Sequence, residues 1–261
     1  MFGIRHGVRF PSAAASTINS LNPGRRDICS MKVPDHDARR AALVRAPIFQ
    51  SLQPSDIDAI LARAIMRRAA RNDVILRRGD ANSGMIVIMT GRVRIGVVSE
   101  DGKEVTLSVL GAGEVLGEMS LLDGEPCSAD VTAQEDCALL LIERGQFLNL
   151  LRGNSELCLR LMSFLTRRLR RANAALEDMA VLDLPTRLAR LLSRLAADYG
   201  VPVRSGTRIE VRLSQKDLST LVGASREKVN RQIRQWEEEG VLTKDAGRLV
   251  IADARALPSL H

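Results

Sequence analysis

The chain has 261 residues, of which 45% are hydrophobic, 26% charged and 3% aromatic, and its formal net charge is +7. These values are typical of a globular protein with one large domain or two ordinary ones. No apolar run reaches the roughly 18–20 residues needed to cross a bilayer, which excludes an integral membrane protein. The four cysteines are far apart and the three histidines lie near the ends. The sequence therefore argues against a disulfide scaffold, a zinc finger and a central multi-histidine metal site.

The positive charge is concentrated towards the end of the chain. Residues 1–142 contain 17 basic and 17 acidic residues, whereas residues 184–261 contain 14 basic and 9 acidic residues. This imbalance is what we expect if a C-terminal module binds a polyanion and the preceding part does not. A solvated basic surface without a partner would give the same counts.

Residues 1–40 are predicted to form an N-terminal extension without fixed structure. The first 30 residues contain four arginines and a single acidic residue, Asp27. This composition fits a targeting segment, or a start site assigned too far upstream, because a more ordinary sequence begins at Met31.

Residues 41–142 are predicted to form a β-barrel domain preceded by helices. Apolar residues recur at helical spacing from about position 41 to 64, with a break at 47–52 and Ser55 as candidate N-cap of the second helix. Beyond position 73, short apolar runs alternate with glycine-rich turns, as in an all-β sandwich or barrel. The runs are 74–76, 85–89, 93–98, 105–110 and 138–142, and the pair Asp101-Gly102 is typical of a hairpin turn.

Residues 143–183 are predicted to form one long helix, because they contain no proline and carry a narrow apolar stripe. The stripe consists of Cys158, Leu161, Leu165, Leu169, Ala172, Leu176 and Met179. A thin seam of this kind favours a parallel coiled coil with a second copy of the chain. The alternative is packing on the chain's own barrel, but the stripe is longer than one small barrel would cover.

Residues 184–261 are predicted to form a separate domain that starts with a helix at Pro185. Residues 208–213 alternate strictly between polar and apolar, which predicts a half-buried strand. Ser214 and Asp217 then form a capping-box pattern that opens a short helix. Gly223 suits the left-handed end of that helix, and Ser225 suits the N-cap of the next one.

Two short helices joined by a glycine-containing turn indicate a helix-turn-helix motif, whose second helix enters the DNA major groove. The inner face of this second helix consists of Val229, Ile233 and Trp236, and its outer face of Arg226, Glu227, Asn230, Arg231 and Arg234. Arginine pairs with guanine, and glutamate accepts from cytosine. The hydroxyls of Ser214 and Ser225 suit phosphate oxygens. Residues 241–242 and 249–251 predict a β-hairpin wing. An ordinary helical hairpin with a solvated face is the alternative.

Three motifs make the sequence resemble the cyclic-AMP-receptor/FNR (CRP/FNR) family of bacterial transcription regulators. They are GEMSLLDG at 117–124, Leu182-Asp183 at the hinge, and VGASREKVNR at 222–231, within a resemblance that covers roughly residues 41–251. The resemblance implies an α+β chain with three parts: a cupin-like double-stranded β-helix (jelly-roll) sensor barrel, a dimerisation helix and a C-terminal winged helix-turn-helix.

The family resemblance also implies how the protein works. Arg226, Glu227 and Arg231 would read bases, and a homodimer would place two reading helices about one DNA turn apart on a palindromic operator. The implied partners are double-stranded DNA and RNA polymerase, with no membrane, and the implied location is the cytoplasm.

The effector pocket matches the cyclic-AMP-binding pattern only in part. Gly117, Glu118, Ser128 and Ala129 match, but Cys127 stands where those relatives have the arginine that holds the cyclic phosphate. A neutral thiol cannot replace that forked, charge-assisted contact. The adenine-binding Thr-Ser pair falls at Ala172-Asn173, while Arg168 is retained nearby. Tight cyclic-AMP binding is therefore not expected, and an altered nucleotide, another ligand or no ligand remain open.

Other sensors and other classes of protein fit less well. An iron-sulfur cluster would need more N-terminal cysteines than Cys29, and a haem would need a histidine in the barrel. A thiol sensor at Cys127 stays open beside the role of a buried apolar residue. A cupin-type enzyme would need metal ligands in the barrel. A cyclic-nucleotide-binding protein acting through a protein partner would leave Arg226, Glu227 and Arg231 unexplained.

Overall fold

A computed structural model describes residues 35–100, 102 and 104–258 of the protein. The predicted extension at 1–40 lies mostly outside the described residues, but positions 36–40 are helical, so the boundary at 41 falls inside the first helix. Helix α1 (His36–Arg45) begins after Asp35, whose Oδ1 accepts from the Ala38 N–H at 2.8 Å. A 3₁₀ turn (Pro47–Phe49) occupies the predicted break.

Helix α2 (Pro54–Arg63) begins earlier than predicted. Its N-cap is Gln53 and not Ser55, because Pro54 occupies the first helical position, where its fixed φ and missing N–H are tolerated. The Gln53 N–H donates to the Asp56 carboxylate at 3.3 Å. The sequence prediction for Ser55 was therefore wrong.

The barrel consists of two four-stranded antiparallel sheets that face each other. Strand order is β1-β8-β3-β6 in one sheet and β2-β7-β4-β5 in the other. The strands are β1 (Ile65–Ala69), β2 (Val74–Leu76), β3 (Gly84–Thr90), β4 (Val93–Val98), β5 (Glu104–Leu110), β6 (Val115–Leu116), β7 (Asp130–Ala133) and β8 (Cys137–Glu143), with helix α3 (Glu118–Asp123) between β6 and β7. A core cluster that includes Ile88, Val131 and Leu139 joins the two sheets. The predicted jelly-roll barrel is thus confirmed.

The five predicted runs coincide with β2, β3, β4, β5 and β8, whereas β1, β6 and β7 were missed. Strand β1 contains two arginines and lies at a sheet edge, where exposed positive side chains discourage pairing with other chains. Strand β6 has only two residues. The predicted hairpin joins β4 to β5, and Gly102 in its turn has φ +74°.

The predicted long helix at 143–183 is divided in two. Helix α4 (Arg144–Gly153) ends at Asn154, which adopts an extended backbone and caps helix α5 (Ser155–Val181) by accepting from the Leu157 N–H at 2.9 Å. Asparagine is favoured at this position because its side-chain oxygen accepts from a backbone N–H that has no partner within the helix. The apolar residues keep a helical spacing on both sides of Asn154, so the sequence did not indicate a break there.

The C-terminal domain starts at the bend between α5 and α6 (Leu184–Tyr199). Asp183 caps α6 by accepting from the Thr186 N–H at 3.0 Å, as the proline-marked start predicted. Asp178, buried near the end of α5, forms ion pairs with Arg190 and Arg194 of α6. These pairs connect the end of α5 to α6.

The rest of this domain is a small sheet packed on three helices. Strand order is β11-β12-β10-β9, formed by β9 (Gly200–Val203), β10 (Gly206–Ile209), β11 (Leu242–Asp245) and β12 (Arg248–Ile251), and the remaining helices are α7 (Gln215–Leu221) and α8 (Arg226–Glu238). The predicted strand at 208–213 was too long, since β10 ends at Ile209. The alternation nevertheless matched burial, because Ile209 and Val211 both join the domain core. Within the described residues no helix is long and apolar enough to span a membrane.

Candidate nucleic-acid interface and barrel pocket

The first helix of the predicted reading motif is held by the predicted capping box. The Ser214 Oγ accepts from the Asp217 N–H at 3.1 Å, and the Ser214 N–H donates to Asp217 Oδ2 at 2.9 Å. The Ser214 hydroxyl also donates to the same Oδ2 at 2.6 Å. Because both functions of this hydroxyl are used in the cap, a phosphate could reach it only by displacing Asp217.

The turn between α7 and α8 follows the sequence prediction. Gly223 has φ +63°, which an L side chain would adopt only with strain, and the Ala224 N–H donates to the Ser219 carbonyl at 2.9 Å. Ser225 caps α8 by accepting from the Lys228 N–H at 3.4 Å. The inner face of α8 is buried through Val229, Ile233 and Trp236. The opposite face of α8 is therefore fixed outward.

The predicted base-reading residues lie on this outward face. Arg226, Arg231 and Arg234 are exposed and form no ion pair with the described residues. Glu227 is exposed as well, and hydrogen bonds from its own backbone N–H and from the Ser225 hydroxyl lower the pKa of its carboxyl group. Asn230 is only half-buried, and its Oδ1 has no hydrogen-bond partner among the described residues. Four of the five side chains are thus directly available to a ligand.

The wing differs from α8 because its cations are neutralised by carboxylates. Arg208 of the neighbouring strand β10 pairs with Glu210 and with Asp245 of the wing, both at 2.6 Å, and Lys244 of the wing pairs with Glu237 of α8 at 2.6 Å. The exposed arginines of α8, and not Arg208 or Lys244, therefore offer positive charge without a carboxylate partner among the described residues. Lysine or arginine that is already paired gains less from a phosphate, since one ion pair must break to form the other.

The barrel places Gly117 and Glu118 at the start of α3. Gly117 has φ +80°, and the Asn82 Nδ2 donates to its carbonyl at 2.9 Å and to that of Gly84 at 2.7 Å. A Cβ at Gly117 would lie 2.6 Å from that nitrogen, so only glycine fits. Asn82 was missed from the sequence, because nothing in its local pattern distinguishes it from an ordinary turn residue.

The structure brings two predicted pocket residues together across 50 positions. The buried Glu118 carboxylate forms an ion pair with Arg168 of α5, and the Arg168 guanidinium lies 5.6 Å from the centre of the Phe164 ring. Phe164 was also missed, although residues four apart on one helix are neighbours, and this spacing could have indicated its contact with Arg168. Asn173, by contrast, is exposed and makes no hydrogen bond with the described residues. The Glu118–Arg168 pair therefore connects the barrel to the long helix.

Cys127 is buried beside α3. Its N–H donates to the Asp80 carbonyl at 2.9 Å, and its carbonyl accepts from the Gly79 N–H at 2.8 Å. Burial raises the pKa of the Cys127 thiol, and a hydrogen bond from the Ser120 hydroxyl opposes this shift only in part. Because the thiolate is the reactive form, this environment favours the role of a small buried apolar residue over that of a thiol sensor. Of its predicted neighbours, Ser128 is exposed and Ala129 is buried.

Metal-binding groups do not assemble in the part of the chain that the structure describes. No group of three or more His, Cys, Asp or Glu side chains there could hold a metal ion. The three cysteines described, Cys127, Cys137 and Cys158, are free thiols. Burial next to Glu135 raises the pKa of Cys137 to about 11.

Two family profiles match the two domains in order. The profile described as "Cyclic nucleotide-binding domain" matches residues 66–154, and that described as "Crp-like helix-turn-helix domain" matches residues 186–260. Among solved structures, the c-di-GMP responsive global regulator CLP of Xanthomonas campestris aligns with a TM-score of 0.65 at 24% identity over 77% of this chain and 100% of that one. FixK2 of Bradyrhizobium japonicum aligns with a TM-score of 0.67 at 18% identity over 76% and 98%. Both likenesses support the fold.

Sequence relatives cover most of the chain. The CRP-like cAMP-activated global transcriptional regulator of Mycobacterium tuberculosis is 30% identical over 215 residues, which are 82% of this chain and 96% of the relative. The cyclic AMP receptor protein of Thermus thermophilus is 32% identical over the same shares of the two chains. The first of these relatives is named as a transcriptional regulator. The chain belongs to the CRP/FNR family of transcription regulators, with a cyclic nucleotide-binding domain and a Crp-like helix-turn-helix domain.

Proposed function

We propose that this protein is a homodimeric regulator that binds a palindromic DNA operator through α8 and acts on transcription by RNA polymerase. The observation that carries the proposal is the outward face of α8, where three exposed arginines that form no ion pair with the described residues accompany Glu227. An acidic residue within a basic face suits selection among base pairs, because glutamate accepts from cytosine but is repelled by phosphate. A surface that only attracted anions in general would carry cations without an acidic residue among them.

Dimerisation is supported by the apolar side chains that α5 leaves in solvent. Met162, Leu169 and Leu176 are 54%, 61% and 66% exposed and recur every seven residues. Leu161, which the sequence analysis assigned to the apolar stripe, is buried within its own chain. We therefore assign Met162, and not Leu161, to the dimer seam. Because heptad spacing favours coiled-coil pairing, a second copy of α5 is the occupant that fits this seam.

The dimer would also set the geometry of DNA binding. A two-fold axis along paired α5 helices relates the two α8 helices, and dimeric helix-turn-helix proteins read half-sites roughly 34–36 Å apart on one side of the duplex. The expected operator is therefore an inverted repeat with half-sites about one helical turn apart.

The barrel is proposed to sense a ligand other than tightly bound cyclic AMP. The relatives from Mycobacterium tuberculosis and Thermus thermophilus are named for cyclic AMP. In this chain the buried thiol of Cys127 replaces the phosphate-binding arginine, and Arg168 is already paired with Glu118. An altered nucleotide or another small ligand suits this degraded phosphate site better, and an empty barrel remains an alternative.

The DNA-binding proposal is tested by Arg226→Ala on a DNA fragment that the wild-type chain selects from a random-sequence library. We expect loss of discrimination between this fragment and random DNA, by roughly 1–3 kcal/mol for one bidentate contact, while salt-sensitive weak binding persists. Arg63→Ala, which removes the same charge from an exposed site in the barrel domain, should leave discrimination unchanged. Unaltered discrimination in Arg226→Ala would refute the assignment.

A further inference from the structure

Helix α7 covers an open edge of the barrel. Strand β5 is the last strand of its sheet, so one row of its backbone groups faces away from β4. The Thr106 N–H on this edge donates to the Thr220 Oγ1 at 3.1 Å, and the Thr106 hydroxyl donates to Asp217 Oδ1 at 2.8 Å. Thr106 and Asp217 are both buried by the contact. The first helix of the reading motif is therefore hydrogen-bonded to the sensor domain.

The Asp217 carboxylate serves both sides of this contact. Its Oδ2 accepts from the N–H and hydroxyl of Ser214 and so starts α7, while its Oδ1 accepts from Thr106 of the barrel. Buried carboxylates need such partners, because an unpaired one is costly. If α7 separated from the barrel, Asp217 Oδ1 would bind water in place of Thr106, and the cap of α7 at Oδ2 would stay intact. The contact can open without unfolding the helix that it holds.

An ion-pair cluster lies at the rim of the same contact. The Lys216 ammonium, in the first turn of α7, lies 3.0 Å from Glu104 Oε2 of β5, and the Arg94 guanidinium of β4 lies 3.2 Å from the same oxygen. Hydrogen bonds from Lys216 and then Arg94 lower the pKa of the Glu104 carboxyl group, so the cluster favours its charged form. Lys216 remains half exposed, so a competing anion in solvent has access to it.

A lysine at this position has a second possible partner in a DNA complex. In helix-turn-helix proteins the first helix crosses the DNA backbone, where lysine side chains bind phosphate oxygens. The Lys216 ammonium cannot optimally satisfy a phosphate and Glu104 together, because the two anions would repel each other. Glu104 therefore competes with DNA for Lys216.

We propose that β5 and α7 form a latch, made of Glu104–Lys216 and of Thr106 with Asp217 and Thr220, which closes in the free protein and opens when DNA binds. The inference rests on the proposed function, because the competing anion is a DNA phosphate. Through this latch the barrel contacts the helix-turn-helix motif directly. Any rearrangement of the β4–β5 hairpin would change the cost of DNA binding without touching α8.

The first test removes the charge that holds Lys216. Glu104→Gln should tighten binding to operator and random DNA alike by about two- to five-fold, the range of an exposed ion pair. Glu100→Gln, an identical charge change on the same hairpin at a residue without an ion pair in the described chain, should have no effect. Thr106→Val should tighten binding in the same way, and Thr106→Ser, which keeps the hydroxyl, should restore the wild-type value.

The second test asks whether the latch opens in the complex. Lys216→Met should make the slope of log affinity against log salt less steep by about 1.8, because the dimer loses two phosphate contacts of about 0.9 each, whereas Arg63→Ala should not change it. Hydrogen exchange at the Thr106 amide should be slow in the free protein and faster with DNA bound.

The outcomes separate the two proposals. Equal DNA affinity of wild type and Glu104→Gln, or a Thr106 amide equally protected with and without DNA, would overturn the latch while leaving DNA binding in place. Failure of the wild type and of every variant to bind any DNA would overturn the proposed function and the latch with it.

Discussion

The seam on α5 gives a quantitative prediction for dimerisation. Leu169→Ala removes three carbon atoms from a side chain that is 61% exposed in the single chain. At about 0.8 kcal/mol per buried methylene, and with only the exposed share newly buried on pairing, the loss is about 1.5 kcal/mol per copy. A symmetric dimer contains the residue twice, so the dissociation free energy should fall by about 3 kcal/mol, which is roughly a hundred-fold in Kd.

Sedimentation equilibrium over a range of protein concentrations measures this change. Leu107→Ala is the matched control, because Leu107 is 54% exposed but lies on the β4–β5 hairpin, away from α5. Its dimer Kd should stay at the wild-type value. A dimer Kd that Leu169→Ala leaves within about two-fold of wild type would refute the assignment of the seam.

Two further predictions concern the ligand pocket and pH. Calorimetry with cyclic AMP should show no Kd of micromolar or tighter, because Cys127 stands where we propose that an arginine would bind the phosphate; a Kd of micromolar or tighter would contradict this proposal. The lowered pKa of Glu104 predicts that its ion pairs contribute stability above its ordinary value of 4.5 and lose it as pH falls through the lowered value in the folded state. The difference in unfolding free energy between wild type and Glu104→Gln should therefore persist at neutral pH and vanish in acid, and a difference that grows in acid would contradict this sign.

Local patterns predicted the reading motif well. The cap at Ser214, the left-handed Gly223, the cap at Ser225 and the buried Trp236 all depend on residues within a few positions of one another. Such signals are present in the sequence because the physical cause of each feature is local. The outward face of α8 then followed from helical periodicity alone.

Features that depend on distant residues could not be predicted in this way. The break at Asn154 is concealed because apolar spacing continues on both sides of it, and the burial of Leu161 depends on packing within its own chain. The bond between Thr106 and Asp217 joins residues 111 positions apart. Neither residue type nor spacing indicates that β5 is a sheet edge or that α7 covers it.

The central claim is that the chain reads DNA as a symmetric dimer through α8, and selection from a random-sequence DNA library tests it most directly. The full chain should enrich an inverted repeat whose half-sites are centred about one helical turn apart, and Arg226→Ala should enrich it more weakly. Enrichment of no sequence, or of a single site without two-fold symmetry, would contradict the account.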